Sequence, residues 1–236
     1  MAYYGSPGIP MIAPPNVSIP AVPFNQPNNL FRYGEQAIWS TQAFDASAAA
    51  VPVASSSYRL FSTPIGQNGQ GFSPLSIAET SLKEGGRIPA GVAFDTFGIS
   101  CHIYHGDDAA LPATDFSQPT DTPTLIGNLV NVQNNGVLAW DFLQTTVDIS
   151  PIHMIGAGGG AFGAISQNAA GANSGAMNNG AGTVWLYRKH AVALPGQSTF
   201  SLLLRFGTYA APIAADTTMA VKVSLLGYYK KVIEIG

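Results

Sequence analysis

The sequence predicts an all-β protein, an antiparallel β-sandwich of jelly-roll type with one short helix. Several segments alternate apolar and polar residues with a period of two, which is typical of strands that have one face on a core. Turn-forming residues such as Asn134, Asn135 and Gly136 separate these segments,. Long helical segments are not expected between the strands, which argues against a parallel sheet covered by crossover helices.

Residues 1–50 are predicted to form an extended, proline-rich N-terminal arm and an approach strand, and residues 51–236 the jelly-roll domain. Seven prolines occur in the first 31 residues, and no charged residue precedes Arg32. Proline at this density disfavours helix and removes sheet donors, yet the arm is too apolar for a solvated tail. We therefore expect assembly contacts, on the same subunit or a neighbour, from Ile9, Met11, Ile12, Val17, Ile19 and Phe24.

The first part of the domain is predicted to contain strands and the one helix. Residues 58–61 form a predicted short strand, and residues 36–44 are a second candidate,. Ser76 followed three residues later by Glu79 is the pattern of a capping box,. A short helix is therefore expected there, ended by the following Gly85 and Gly86.

A proline corner occurs twice in the chain, and each copy precedes a predicted strand. The first is RIPAGVAF at residues 87–94, and the second is ALPGQSTF at residues 193–200. Proline fixes φ and glycine relaxes the turn, so each corner is expected to pin the register of its strand. The first strand has a predicted inward row of Phe97, Ile99, Cys101 and Ile103, and the second covers residues 200–206,.

Four more strands are predicted, at residues 125–132, 137–149, 184–191 and 219–233,. A hairpin turn at residues 134–136 would join the first two. The inward row changes phase within residues 137–149, and a β-bulge near Leu143 would explain the change.

Residues 156–182 interrupt the strands with nine Gly, eight Ala and four Asn. This composition leaves little side chain for a core, so a long loop is expected. Its small residues allow another backbone to approach closely. A subunit contact through Phe162 and Met177 is one interpretation, and simple surface flexibility is the other.

Composition limits the classes of function. The net charge is −3 and only 10% of residues are charged, against about 25% in an average globular domain. Such a surface fits either a neutral monomer or a chain whose exterior becomes subunit interface. No basic arm is present for phosphate neutralisation, so direct sequence-specific nucleic-acid binding is not expected. Cys101 is the only cysteine, the N-terminus does not resemble a signal peptide, and no apolar run is long enough to span a membrane,. These features favour folding in a cytoplasm.

The charged residues are unevenly distributed along the chain. Residues 88–187 contain seven acidic residues and no Lys or Arg, whereas residues 188–236 contain six basic and two acidic residues. If copies pack side by side, such a division could match one flank to another. Solvated surface charge is the alternative.

The sequence suggests no catalytic residues and no bound cofactor. The glycines at 158, 160 and 163 match a dinucleotide-binding pattern, but no acidic residue follows at the required spacing,. Cys101 and His102 would face opposite sides of a strand and cannot share a metal. The metal candidates are Asp107 and Asp108, which could contribute to a Ca²⁺ site,. A carboxylate pair of Asp141 and Asp148 would need the bulge to bring both to one face.

The proline corners and the closing VKVSLLGYYKKV, residues 221–232, carry a family resemblance. They resemble the pattern in jelly-roll major capsid proteins of tailless icosahedral bacterial viruses, over residues 80–105 and 183–236. The resemblance implies a shell-building subunit without catalytic residues, whose arm and loops make the contacts. Many relatives contain two jelly rolls per chain. The strand count here favours a single jelly roll, with a compact double jelly roll as the alternative.

The expected function is therefore that of a structural virion protein, a capsid subunit that assembles in the host cytoplasm into an icosahedral shell. The expected partners are other copies of the chain, as a trimer or hexameric capsomer, and other capsid proteins. The missing basic arm suits a shell with an internal membrane or another protein beneath it. Two alternatives are a fibre-tip or carbohydrate-binding module using Trp39 or Tyr209, and a cupin-like enzyme with a metal on inward histidines.

Overall fold

A computed structural model describes residues 29–46, 49–106, 122–142, 145–155, 162–167, 173–178, 185–186, 191–213, 215 and 218–234. This part of the chain contains eleven β-strands and one α-helix, which confirms an all-β fold. The elements are β1 (Asn29–Asp45), β2 (Ser57–Leu60), β3 (Val92–Gly106), α1 (Thr122–Asn135), β4 (Gly136–Phe142), β5 (Thr145–Pro151), β6 (Phe162–Gln167), β7 (Asn173–Asn178), β8 (Trp185–Leu186), β9 (Val192–Leu194), β10 (Phe200–Phe206) and β11 (Thr218–Glu234).

The strands form an antiparallel sandwich, as predicted. The long-strand sheet has the order β1-β11-β3-β8, with β9 also pairing with β3, and the short-strand sheet has the order β2-β10-β4-β5. The hairpin of β6 and β7 is separate. Alternate residues of both sheets share one core, which includes Met219, Val221, Val223 and Leu225 of β11 and Phe200, Leu202, Leu204 and Phe206 of β10.

The pairing of the strands is nested. β1 pairs with β11, β2 with β10, β3 with β8 and β9, and β4 with β5. Outside the β6–β7 hairpin, the first of the described strands therefore pairs with the last, the second with the next to last, and so on inward. The chain forms one antiparallel ribbon that is wound into two sheets.

The two proline corners pack against each other where this ribbon passes between the sheets. Residues 86–96 run antiparallel to residues 192–200. At one end of the paired segment Phe200 starts β10 of the short-strand sheet, and at the other Phe94 lies in β3 of the long-strand sheet. The pairing includes the hydrogen bonds from Gln197 N–H to Ile88 C=O (2.8 Å) and from Phe200 N–H to Gly86 C=O (2.9 Å).

Both corners contain the same four-residue turn. The carbonyl of Pro89 accepts a hydrogen bond from Val92 N–H at 3.2 Å, and the carbonyl of Pro195 accepts one from Ser198 N–H at 3.1 Å. A bond from residue i to residue i+3 defines a β-turn. The repeated corner thus serves two neighbouring turns of one sandwich, and it does not mark two separate sandwiches.

The glycines of the two corners have different roles. The third turn position has a positive φ in both corners, with Gly91 at 71° and Gln197 at 65°. Only the first corner therefore uses glycine for its conformation. Gly196 is required by a contact, because a Cβ there would lie 2.5 Å from the backbone oxygen of Val92.

A β-bulge in β3 changes which residues face the core. The register between β3 and β11 shifts between Leu226 and Gly227, which leaves Phe97 without a partner in the ladder. Phe97 therefore does not belong to the predicted inward row, and its ring lies 5.1 Å from that of Tyr228. The buried residues change phase at this point, from Phe94 and Thr96 on one side to Ile99, Cys101 and Ile103 on the other.

The segment 62–86 covers the free edge of β1. Thr80 bridges Ser40, and Ser81 N–H donates to Trp39 C=O at 3.0 Å. The side-chain amide of Gln70 donates to Ser40 Oγ at 2.7 Å and to the Thr41 carbonyl at 2.9 Å. An open edge strand is a template for pairing with another chain, and this segment protects the middle of β1.

The helix predicted after Ser76 is wrong, although its capping box is present. Ser76 N–H donates to Glu79 Oε2 at 2.7 Å, and Ser76 Oγ accepts from Ala78 N–H at 3.1 Å. The box closes a single turn, ending with Thr80 N–H bonded to Ser76 C=O at 3.1 Å. The turn does not continue because Thr80 and Ser81 bond to the edge of β1 instead.

The α-helix lies instead at Thr122–Asn135, where a strand was predicted for residues 125–132. Leu129 and Val132 are buried, whereas Val130 is exposed, as expected for helical periodicity,. Each fully buried aliphatic side chain contributes about 1.5–3 kcal/mol. Pro123 in the first turn was the missed sequence signal, because proline is favoured there.

The predicted hairpin turn at residues 134–136 is also wrong, since α1 ends at Asn135 and β4 begins at Gly136. The predicted single strand 137–149 is two strands, β4 and β5, which pair with each other. A chain reversal, and not a bulge near Leu143, therefore explains the change of phase. Of the predicted strand 184–191 the structure describes residues 185–186, which form β8, and residue 191, which precedes β9; the rest lies outside the described residues. Residues 162–167 and 173–178 of the predicted loop form the β6–β7 hairpin.

We expect Gly196→Ala to destabilise the protein, because the new Cβ would meet the Val92 carbonyl oxygen and push the corners apart. The expected loss is about 1–3 kcal/mol of unfolding free energy, measured by urea denaturation. Gly127→Ala is the matched control in α1, where a Cβ meets nothing within 4 Å. It should stabilise the protein by up to about 1 kcal/mol through helix propensity. Equal effects of the two substitutions would contradict the packing of the corners.

Candidate functional site at the loop end

Several connections gather at one end of the sandwich, here called the loop end. In the long-strand sheet, the end of β1 at Asp45 is level with the start of β11 at Thr218. In the short-strand sheet, the end of β10 at Phe206 is level with the start of β4 at Gly136, where α1 ends. The described parts of the loop end are residues 46 and 49–56, α1, residues 152–155 and residues 207–213.

Three of these segments, residues 49–56, residues 207–213 and α1, are joined by hydrogen bonds. Residues 49–56 and 207–213 are joined by Ser55 N–H to Gly207 C=O at 3.2 Å and by Ile213 N–H to Val51 C=O at 2.7 Å. The side chain of Asn131 in α1 binds both backbone groups of Ala211, donating to its carbonyl and accepting from its N–H. The loop end is therefore a connected surface and not a set of independent loops.

An aromatic cluster lies under this surface. The rings of Phe44, Tyr58 and Phe206, from β1, β2 and β10, lie 4.9 to 5.9 Å apart in edge-to-face pairs, an arrangement favoured by the ring quadrupoles. The hydroxyl of Tyr58 accepts a hydrogen bond from Val53 N–H at 3.0 Å. Tyr58 thus connects the core of the sandwich to the loop that carries Val53.

The loop end exposes large apolar side chains from four different segments. They are Val53, Val130, Met154 and Tyr209, and Tyr209 is 91% exposed. Exposed apolar residues gathered on one side of a protein mark interaction surfaces more often than scattered ones do. Loops held on a rigid scaffold are also where binding residues concentrate. This surface is the best candidate for a functional site in the described part of the chain.

The predicted assembly residues are only partly within the structure. Ile9, Met11, Ile12, Val17, Ile19 and Phe24 lie outside the described residues, as do the metal candidates Asp107 and Asp108. Phe162 and Met177 lie in the β6–β7 hairpin, where Phe162 pairs with Asn178 and Met177 with Gly163. The hairpin reaches the loop end, because β6 lies against α1.

The two proposed stacking residues differ in availability. Trp39 is half-buried, and its indole N–H donates to the carbonyl of Ile77 at 3.0 Å. Tyr209 is open at the loop end. Sequence reasoning identified Tyr209 as an isolated aromatic residue, but its neighbours Val53, Val130 and Met154 were not identified, because no sequence spacing connects them.

Cys101 and His102 face opposite sides of β3, as predicted. Cys101 is buried in the core, and burial raises the pKa of its thiol to about 12, so it stays protonated. His102 is half-buried on the outer face, where burial and the nearby Lys222 lower its pKa. His102 is therefore not the inward histidine that the cupin interpretation needs. Among the residues that the structure describes, no group of three His, Cys, Asp or Glu is placed to hold a metal ion.

A second polar surface lies on the outer face of the short-strand sheet. Arg59 of β2 contacts Asp141 of β4 across the intervening β10, with Nη2 2.8 Å from Oδ2. Arg205 of β10 contacts Asp148 of β5 across β4, with Nη1 2.6 Å from Oδ1. The two aspartates lie on the same face because a chain reversal separates them, which corrects the expectation of opposite faces. Acidic and basic residues separated along the sequence thus meet within one sheet.

Comparisons with known proteins identify no relative. No protein-family model matches the chain, and no curated protein or solved structure shows significant similarity to it. Within the described part of the chain, no helix has the length and apolar character needed to cross a membrane.

We expect Tyr58→Phe to loosen the loop that carries Val53 while leaving the aromatic cluster packed. The substitution removes the acceptor of the Val53 N–H bond, whose loss should cost at most about 1 kcal/mol. Hydrogen exchange at the Val53 amide should become faster. Tyr209→Phe is the control, because the Tyr209 hydroxyl makes no hydrogen bond to the described residues. Unchanged exchange at Val53 in Tyr58→Phe would refute this anchoring role.

Proposed function

We propose that the sandwich is a single jelly roll. The nested pairing supports this proposal. If the β6–β7 hairpin is left out and β8 and β9 are counted as one strand, eight strands remain, which can be numbered 1 to 8 along the chain. The two sheets then have the orders 1-8-3-6 and 2-7-4-5. A jelly roll is an eight-stranded, two-sheet structure that is formed by winding up such a ribbon. The single shared core is also easier to reconcile with one jelly roll than with a compact double one.

We propose that the chain is a capsid subunit that assembles with copies of itself into an icosahedral shell. A fold does not define a function by itself, so the proposal depends on the loop end. The observation that carries it is the exposure of four apolar side chains at one end of a sandwich, from four segments of which three are joined by hydrogen bonds. Fixed loops favour association because less conformational entropy is lost on binding.

Composition supports the same function. Only 10% of residues are charged, and subunit interfaces are depleted in charge compared with open surface. The two ion pairs on the short-strand sheet further reduce the number of unpaired charges there. The proposed partners are other copies in a trimer or hexameric capsomer, and other capsid proteins. The proposed location is the virion, with a membrane or another protein between the shell and the genome.

A fibre-tip or carbohydrate-binding module is the second candidate function. The observation that favours it is Tyr209, whose 91% exposed ring is available for stacking against a sugar,. This candidate predicts a monomer or trimer that binds glycans and never forms a shell. Electron microscopy of concentrated protein therefore distinguishes the two functions.

We expect the triple variant Val130→Glu, Met154→Glu and Tyr209→Ser to fold normally and to lose self-assembly. The three side chains are 46%, 54% and 91% exposed, and exposed substitutions usually change stability by less than about 0.5 kcal/mol each. Light scattering and electron microscopy measure assembly. Ile77→Glu is the control, because Ile77 is 67% exposed but lies in the segment that covers β1. Normal assembly of the triple variant, or no assembly of the unaltered chain, would contradict the proposal.

We expect deletion of residues 1–28 to leave the sandwich folded and to weaken assembly. The deletion ends before β1, so the ladder from Asn29 to Asp45 is retained. Circular dichroism and thermal unfolding report the fold, and sedimentation reports assembly. As a control for length alone, the deleted segment is replaced by a Gly/Ser sequence of equal length. If both shortened and replaced chains assemble normally, the proposed contacts from Ile9 to Phe24 do not exist.

A further inference from the structure

A polar cavity lies on the short-strand sheet, at the end opposite the loop end. Its volume is about 360 Å³, within the range of about 300–1,000 Å³ that is typical of small-molecule sites. The cavity is formed where β2, β10 and β4 meet the first proline corner. Its polar lining consists of the charged Arg59 and Asp141 and the hydroxyl-bearing Ser62, Thr199 and Ser201.

The charges in the cavity balance each other. Arg59 and Asp141 form an ion pair, and Ser201 Oγ donates to the same carboxylate oxygen, Asp141 Oδ2, at 3.0 Å. A free anion would meet the carboxylate, and a free cation would meet the guanidinium. An apolar ligand would leave the hydroxyl groups of the lining without partners,. The cavity is therefore suited to a neutral ligand with several hydrogen-bonding groups.

The ion pair leaves hydrogen-bonding capacity unused. Both contacts to Asp141 involve Oδ2, and Oδ1 makes no hydrogen bond to the described residues. Arg59 contacts Asp141 through Nη2 alone, although a guanidinium has five N–H donors,. Two adjacent hydroxyl groups match this arrangement, since one can donate to Oδ1 while the other accepts from the guanidinium. Hydrogen bonds to charged groups are stronger than those between neutral groups.

We propose that this cavity binds a neutral saccharide through vicinal hydroxyl groups held by Arg59 and Asp141. Gly86 forms part of the wall without a side chain that would fill the space, and its φ of 65° favours glycine at this position,. Thr199 is exposed at the rim. The proposal is independent of the proposed shell, because the cavity and the loop end lie at opposite ends of β10.

The same sheet contains a matched control. Arg205 and Asp148 form the second ion pair on this face, but neither lines the cavity. The strand between them presents Ala139, which is fully buried. Asp148 therefore belongs to the same kind of ion pair outside this cavity, and it separates the effect of charge from the effect of the site.

Saturation-transfer difference NMR on the full chain tests the proposal, because the method detects weak ligands and tolerates large assemblies. The probes are the methyl α-glycosides of glucose, mannose, galactose and N-acetylglucosamine. Tetrahydropyran-2-methanol has the same ring without vicinal hydroxyls and serves as the negative probe. At least one glycoside should bind saturably with a Kd of about 1 mM, a typical weak affinity, and the negative probe should not.

Two substitutions locate the binding site. Asp141→Asn should raise the Kd about tenfold, because it removes a charge-assisted hydrogen bond, whereas Asp148→Asn should leave it unchanged. Thr199→Phe should abolish binding by filling the rim, and thermal unfolding checks that each variant is folded. Four results would overturn the proposal. The first three are no saturable binding of the four glycosides, equal binding of the negative probe, and an equal loss in Asp141→Asn and Asp148→Asn. The fourth is binding that is lost only in Tyr209→Ser, which removes the exposed ring and would place the sugar at the loop end.

Discussion

The antiparallel packing of the two proline corners is the constraint on which the rest of the fold depends. In the sandwich the nested ribbon must pass from one sheet to the other without losing its pairing. The corners allow this because residues 86–96 and 192–200 remain hydrogen-bonded through the bend. Phe61 joins the same point, since its carbonyl accepts from Gly86 N–H at 2.7 Å and its N–H donates to Ser40 Oγ at 2.8 Å. Both sheets are thus fixed at one place.

This constraint gives the two ends of the sandwich different chemistry. At the end opposite the loop end, where the proline corners lie, the tightly turned backbone leaves a small cavity beside Arg59 and Asp141. At the loop end, longer connections present apolar side chains such as Tyr209 above a buried aromatic cluster. The proposed assembly surface and the proposed saccharide cavity can therefore coexist on one domain, because they use opposite ends of the same strands.

The fold class could be predicted from the sequence more fully than the individual elements. The period-two rows of β10 and β11 identified those strands correctly, since a strand with one face on the core imposes that alternation,. Local signals failed where tertiary contacts competed with them. The capping box at Ser76 and Glu79 closes only one turn because the edge of β1 binds the following residues. Phe97 fits an inward row in the sequence but lies at a bulge.

The sequence by itself determined the all-β class, the positions of the two corners and the shortage of charge, because these depend on local periodicity, proline and composition. The tertiary structure alone decided that the corners pack on each other and that Arg59 meets Asp141, 82 positions apart. It also decided that Val53, Val130, Met154 and Tyr209 share one end. The physical reason is that strand pairing and core packing join distant segments, and no local pattern in the sequence records which segments will meet.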